Sequence, residues 1–169
     1  MTEQLQHIRR VLQEREPQVI DEWVAEVLAA SGARTEGAHR TLQAEAQEIA
    51  RTLKAALDAG ADSSRFDSPG WVPLRQVLEG LSRSRAAQGQ SAAETSLFVL
   101  ALKKPFFAAL QDTLADDRQA LLGSLWAIST LVDKLAQWTA SAYQQTREEL
   151  IKRQQQDLLE LSTPVIKLW

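Results

Sequence analysis

Cysteine is absent from this chain of 169 residues, which excludes a disulfide framework, a thiolate metal site and a cysteine nucleophile. Glycine and proline are scarce, with 7 and 5 residues, so we expect few long loops. No apolar run approaches the roughly 18 residues that span a membrane. The N-terminal sequence MTEQLQHIRR lacks the apolar stretch of a signal peptide. We therefore expect a cytoplasmic protein with no membrane partner.

A concentration of basic charge is also missing. The net charge is −3; residues 1–85 carry 11 basic and 13 acidic side chains, and residues 86–169 carry 8 and 9. Since neither half offers the positive surface that binds a phosphate backbone, we expect no nucleic-acid partner. The hydrophobic fraction of 44% and the charged fraction of 24% are typical of a globular protein, and the length suits one domain with a core.

Apolar residues recur at helical spacing along the chain, and no segment alternates apolar and polar residues over the length of a strand. The pattern predicts an all-α protein. Helices are expected over Thr2–Arg15, from Pro17 to Ser31, across Leu42–Ala56, around Leu74–Leu81, from a capping box at Ser91 and Glu94 to a break at Pro105, and from about Asp117 onward.

Three tryptophans, Trp23, Trp126 and Trp138, lie in phase with the apolar faces of these helices. Aromatic residues at this spacing usually belong to the core, although a sensory pocket lined by them would have the same spacing. We expect Trp126 and Trp138 to widen the buried face of the last helix.

The last helix changes in composition after Tyr143. Beyond this point Leu150, Leu158 and Leu161 keep an apolar face, with Gln154 between them, while the helix propensity stays high. We expect this segment to leave the globule as an exposed helix, because a narrow and sparse apolar face is typical of a two-stranded coiled coil. The predicted division is a helical domain over residues 1–145 and a linker helix from residue 146.

Residues suited to catalysis or cofactor binding are few. His39 lies three residues before Leu42, in phase with that apolar face, and is a candidate haem ligand only if haem is bound. His7 is expected to be solvated. Neither histidine has a further ligand at metal spacing, and the chain has no glycine-rich phosphate loop and no GxSxG motif. We therefore predict no enzyme, no metal site and no cofactor.

Two arginines, Arg83 and Arg85, precede a turn at Gln88-Gly89. Arginines at the end of a helix can hold an anion or a carboxylate of a partner. They can equally form ion pairs within the chain or face solvent, which is the more common role of such residues.

The segment LSRSRAAQGQSAAET, from Leu81 to Thr95, continues with FVLALKK from Phe98. It resembles the pattern S-x-x-R-A-x-Q-G-[FY]-S-x-x-E of the N-terminal domain of RsbRD-type proteins, the RsbT co-antagonists of the bacterial stressosome. Gln90 stands where the pattern has an aromatic residue, so a pocket filled by that aromatic side chain would differ here. The residues assigned to this motif region are Arg83, Arg85, Gln88, Gly89 and Glu94.

A second segment, QDLLELSTPVIKLW from Gln156 to Trp169, resembles the linker helix and the first residues of the STAS domain in RsbR proteins. The corresponding family pattern is ELSTPVI-x-[LVI]-W. By this resemblance residues 146–169 comprise a linker helix and the start of a STAS domain, so the chain is expected to be cut at that point.

The resemblance implies a globin-like helical fold without haem and a parallel homodimer with the long C-terminal helices side by side. In the family these domains project from the stressosome core, where STAS domains and RsbS hold the kinase RsbT. We therefore expect an RsbS-like scaffold and an RsbT-like kinase as partners through a C-terminal STAS domain. The seam residues expected to transmit the signal and form the dimer are Leu150, Gln154, Leu158 and Leu161.

Three functions are compatible with the sequence. The leading interpretation is a sensory domain without enzymatic activity that acts on a STAS domain. The second is a globin sensor that binds haem or another small molecule, and the third is a structural adaptor whose helices only assemble a complex. A haem absorbance band would separate the second from the first.

Overall fold

A computed structural model describes residues 2–32 and 35–167, and side chains as far as Thr163. The all-α prediction is confirmed, since the described residues form helices and contain no strand. Short 3-10 turns at Ser63–Arg65 and Pro69–Trp71 lie in the longest connection. The six helices are α1 (Glu3–Ser31), α2 (Glu36–Asp58), α3 (Val72–Ala87), α4 (Ala92–Leu100), α5 (Lys103–Thr113) and α6 (Arg118–Lys167).

The boundary that the sequence predicts between two helices, at Arg15 and Pro17, is a kink within α1. The backbone leaves helical geometry at Arg15, with φ −134° and ψ 21°, and the chain bends there before it continues through Pro17. Proline is tolerated because it stands in the first turn after the kink, where its missing N–H would have no helical partner. The two halves are thus joined, and both bury an apolar face, including Ile8 and Trp23.

Local signals set most helix ends where the sequence predicts them. Thr2 accepts a hydrogen bond from Leu5 N at 3.4 Å, and Ser91 Oγ accepts one from Glu94 N at 3.1 Å. The predicted break near Pro105 is confirmed, since α4 ends at Leu100 and α5 begins at Lys103. Proline then stands in the first turn of α5, where it disrupts nothing further.

The core lies where the N-terminal half of α6 packs against α1, α3, α4 and α5, and α2 packs in turn on α1 and α3. Trp23 and Trp71 are fully buried there. Each has its indole N–H satisfied, Trp23 by the Phe98 carbonyl at 2.7 Å and Trp71 by the Asp62 carbonyl at 2.9 Å. These bonds hold α4 and the connection after α2 against the core.

The expectation that Trp126 is buried is wrong. Its side chain is 76% exposed, and Leu122, one turn earlier, is exposed beside it. Ser124 and Ile128 are on the buried side of α6. Trp126 is two residues from each, a rotation of about 200° about the helix axis, and therefore lies on the opposite side. Trp138 is half-buried, and its ring meets the Phe66 ring at 5.9 Å.

No helix among the described residues has the length and apolar character needed to cross a membrane.

Candidate functional site

The motif segment forms the turn between α3 and α4. Gly89 adopts φ +76°, a left-handed conformation that a side chain would strain. The N–H of Gly89 donates to the Ala86 carbonyl at 3.1 Å, and the N–H of Gln90 donates to the Arg85 carbonyl at 3.0 Å. This pair of bonds is the Schellman arrangement, which closes α3 and sets the direction in which the chain enters α4.

Arg85 points away from solvent, with 8% of its surface exposed. Its Nη2 atom donates to Glu45 Oε1 on α2 at 2.8 Å, and its Nη1 atom donates to the Gln90 side-chain carbonyl at 3.2 Å. The guanidinium also lies over the Phe98 ring, with 5.5 Å from Cζ to the ring centroid. Arg85 therefore connects α2, α4 and the turn at one point.

The environment of the Glu45 carboxyl favours its neutral form. Burial raises the pKa of Glu45, and the charge of the neighbouring Arg85 lowers it by a smaller amount. The ion pair is thus held against a cost of desolvation, which is usual for partly buried pairs.

An open groove of about 960 Å³ lies beside Arg85. It is bounded by the end of α1, the start of α2, the end of α3 and the length of α4. Its walls are predominantly apolar, and its volume is in the range of natural ligand sites. We call it the motif groove, because three residues of the motif region line it: Arg85, Gln88 and Glu94.

The other two residues assigned to the motif region, Arg83 on α3 and Gly89 in the turn, are exposed and do not line the motif groove. Arg83 and Arg85 are two residues apart and therefore point to nearly opposite sides of α3. Their side chains have different surroundings. Arg85 forms the intramolecular ion pair that the sequence left as one of its alternatives, and Arg83 faces solvent.

The turn of the motif groove is attached to α6 through Tyr143. The Tyr143 hydroxyl donates to the Gln90 backbone carbonyl. Tyr143 is buried, and every described side chain from residue 147 to residue 163 is exposed. The attachment therefore lies close to the point where α6 leaves the core.

The seam predicted on the last helix is solvent-facing in the isolated chain. Leu158 and Leu161 are 66% and 75% exposed, and Leu150 and Gln154 are exposed as well. Ile151, which the sequence analysis did not include, is exposed beside them. Its position gives a 3-4-3 spacing with Gln154, Leu158 and Leu161, the repeat of a coiled-coil face.

Neither histidine lines the motif groove. His39 is exposed in the first turn of α2, before Leu42 begins the buried face. His7 is half-buried rather than solvated; its Nε2 atom is 4.0 Å from Glu3 Oε1. The described residues contain no cluster of three metal-ligating side chains.

Sequence reasoning did not find the partners of Arg85. Glu45 is 40 residues away, and nothing in its local pattern distinguishes it from the other acidic residues of α2. The sequence did carry one signal: Gln90 stands where the family pattern has an aromatic residue. This residue lines the motif groove and accepts a hydrogen bond from Arg85. The last two residues of the second motif, Leu168 and Trp169, lie outside the described residues.

Comparison with known proteins gives one family. Neither the curated proteins nor the solved structures contain a match to the chain. The model of the family described as "RsbT co-antagonist protein rsbRD N-terminal domain" matches residues 17–158. The match covers well over half of the chain and includes the motif groove and most of the exposed helix.

Proposed function

The chain belongs to the family of RsbT co-antagonist protein rsbRD N-terminal domains, and on that premise we propose that it is a sensory domain that passes a signal along α6. Membership makes it an N-terminal regulatory domain of the RsbR type, which acts in the stressosome assembly with RsbS and RsbT. The proposed output is a C-terminal STAS domain that controls an RsbT-type kinase. Regulation of this kind needs no catalytic residue in the domain itself.

The observation that carries the proposal is the continuity of α6. One helix contributes buried residues such as Leu135 and Tyr143 to the core and then extends over residues 147–163 with every side chain exposed. This exposed part is roughly 25 Å long. A helix that is packed at one end and free at the other can carry a rotation or shift of the domain to whatever it meets.

The apolar residues on the exposed part support a parallel homodimer. Ile151, Leu158 and Leu161 lie along one side of the helix, and a second copy of the same side would bury them. Gln154 would then stand within the interface, where a polar residue favours one register at a cost in stability.

The N-terminal part of α6 offers apolar residues on the same side. Leu122 and Leu158 are 36 residues apart, about ten turns of a straight helix, and therefore point in one direction. Trp126 is one turn from Leu122 and is also exposed to solvent. The proposed dimer thus has contacts at both ends of α6, with polar residues such as Gln137 between them.

The STAS output is supported by the resemblance of Gln156–Trp169 to the linker and STAS entry of RsbR proteins. The signal would reach that domain as a change in how the two α6 helices meet. The attachment of Tyr143 to the Gln90 carbonyl links this helix to the motif groove. The motif groove therefore has a direct connection to the helix that leaves the core.

Among the alternatives, a small-molecule sensor is favoured by the motif groove, because its volume and apolar walls suit a small ligand. The haem version lacks support, because His39 is exposed and does not line the groove. A purely structural adaptor predicts that the domain assembles but that changes in its motif groove leave the output unaltered.

The dimer is tested by light scattering on the double variant L158N/L161N. We expect wild-type protein to be a dimer and the variant to be a monomer, because two buried leucine pairs are replaced by polar groups. Gln156→Asn, on an exposed position off the seam, is the matched control and should remain dimeric. A wild-type monomer at high micromolar concentration would contradict the proposal.

Signal transmission is tested in a protein whose α6 leads into a STAS domain, with RsbT-dependent phosphorylation as the measurement. An insertion of seven residues after Arg147 keeps the exposed part of α6 facing nearly the same direction relative to the core. An insertion of four residues rotates the exposed part by about 40° about the helix axis. We expect the seven-residue insertion to retain regulation and the four-residue insertion to alter it. Equal behaviour of the two insertions would argue for an adaptor.

A further inference from the structure

The motif groove has the form of a site for a small molecule. Its apolar wall combines the last turns of α1, the start of α2 and the outer side of α4. Leu97 is exposed there although it is a large apolar residue. The large apolar residues that line the motif groove are Val27, Leu42, Leu97, Phe98 and Leu100.

Charged groups at the rim are largely paired with one another. Lys104 Nζ is 2.8 Å from Glu26 Oε2, and Lys103 Nζ is 2.7 Å from Asp133 Oδ1. These pairs offset the charge of both lysines and of Glu26. The wall also carries the Glu94 carboxylate and the side-chain amides of Gln88 and Gln90, and Arg85 is its buried cation.

Arg85 has more donors than its surroundings use. A guanidinium carries five N–H groups, and two of them donate to Glu45 and Gln90. Within the part of the chain that the structure describes, the buried Nε atom of Arg85 has no acceptor. Each terminal nitrogen also carries a second N–H. Buried donors without an acceptor are costly, and a carboxylate binds a guanidinium through two parallel bonds.

We propose that the motif groove binds a small amphipathic carboxylate, with its carboxylate on the Arg85 guanidinium and its apolar body against Leu42, Leu97 and Phe98. Two carboxylates, that of Glu45 and that of the ligand, then share one arginine. Burial raises the pKa of Glu45, which lowers the cost of proton uptake by this carboxyl when a second carboxylate binds beside it.

Binding as such depends only on the motif groove. Its meaning as a signal rests on the proposed function, with the contact of Tyr143 on the Gln90 carbonyl as the connection to α6. The two can be tested apart, since affinity is measured on the chain alone and does not require dimerisation or a kinase.

The test is calorimetric titration of the 169-residue chain with sodium octanoate, and with octylammonium chloride as a probe of equal length and opposite charge. We expect octanoate to bind with one site per chain and octylammonium to bind at least about tenfold more weakly, the factor that one charge-assisted hydrogen bond supplies. Equal affinity for the two probes would overturn the role of Arg85.

Two pairs of variants locate the site. Ala30 lines the motif groove and Ala29 does not, and both are exposed on α1, so A30W should weaken octanoate binding about tenfold or more while A29W leaves it unchanged. In the same way R85Q should abolish binding and R83Q should not.

Circular dichroism on each variant establishes that it is folded. Should R85Q unfold, the A30W and A29W pair still decides the matter, because neither changes a buried residue. Unaltered octanoate affinity in A30W, or no binding to the wild-type chain, would overturn the proposal, whatever the outcome of the dimer experiment.

Discussion

The guanidinium of Arg85 and the carboxylate of Glu45 meet at 2.8 Å, between residues 40 positions apart in the chain. This ion pair joins the end of α3 to the middle of α2 at the edge of the motif groove. Both side chains are largely shielded from solvent. The attraction between the two charges stabilises the pair, while the loss of their hydration opposes it.

The stability of the fold should depend on the ionisation of Glu45. Burial raises the pKa of its carboxyl above the ordinary 4.5, so the native state holds the proton more tightly than the unfolded chain does. This contribution is fully present below the ordinary pKa and is lost as the pH rises through the raised value. We expect the free energy of unfolding of wild type, minus that of Glu45→Gln, to fall as the pH is raised from about 4 towards neutrality.

The measurement is urea unfolding of both proteins across that pH range. A difference that grows with pH would show that attraction to Arg85 outweighs burial and would contradict the prediction.

Replacing Gly89 and Gly80 with alanine should change the stability of the protein in opposite directions. Gly89→Ala places a side chain at φ +76° and should destabilise the protein by about 1–2 kcal/mol. Gly80 is helical within α3 and has only the tip of the Arg83 side chain within reach, at 4.0 Å, so Gly80→Ala should stabilise by about 0.5–1 kcal/mol. Thermal unfolding of the two variants gives the comparison; equal shifts would mean that the left-handed turn is not retained in solution.

The buried hydroxyl of Ser82 should stabilise the contact of α3 with α6. It donates to the Thr139 carbonyl at 2.9 Å and is also 2.9 Å from the Leu78 carbonyl of its own helix. Ser82→Ala should lower the free energy of unfolding by about 1 kcal/mol, because a hydrogen bond between helices is lost. Ser84→Ala, two residues further and exposed, is the control and should have little effect. An equal loss in both would point to helix propensity rather than to the contact.

Trp126 should report on pairing of the α6 helices. In the isolated chain it is open to solvent, whereas Trp23 and Trp71 are fully buried. Acrylamide quenching of wild type should therefore be weaker than that of L158N/L161N, with the difference absent in proteins that also carry W126F. Equal quenching with Trp126 present would remove this residue from the proposed interface while leaving the seam at Leu158 and Leu161 to be judged by light scattering.

Local features of the sequence predicted much of the fold. Three features depend only on residues within a turn of one another: the Ser91 cap, the left-handed Gly89 and the break ahead of Pro105. They can therefore be predicted from the local sequence. The change of composition after Tyr143 likewise indicated where α6 stops contributing to the core.

Burial of individual side chains was predicted less well. Trp126 was placed with the core because it lies in phase with the apolar face of the last helix, but its side chain is exposed. Periodicity states which residues share a side of a helix. It does not state how wide the neighbouring surface is or where along the helix that surface begins.

What the sequence alone determined is the helical class, most helix ends, the family resemblance and the polar helix beyond Tyr143, because each follows from contacts between near neighbours or from a short motif. Only the tertiary structure decided that Arg85 meets Glu45, that Gln90 and Glu94 line one groove, and that Trp126 faces outward. These facts depend on how separate helices approach one another, and that approach is set by the packing of the whole core rather than by any one segment.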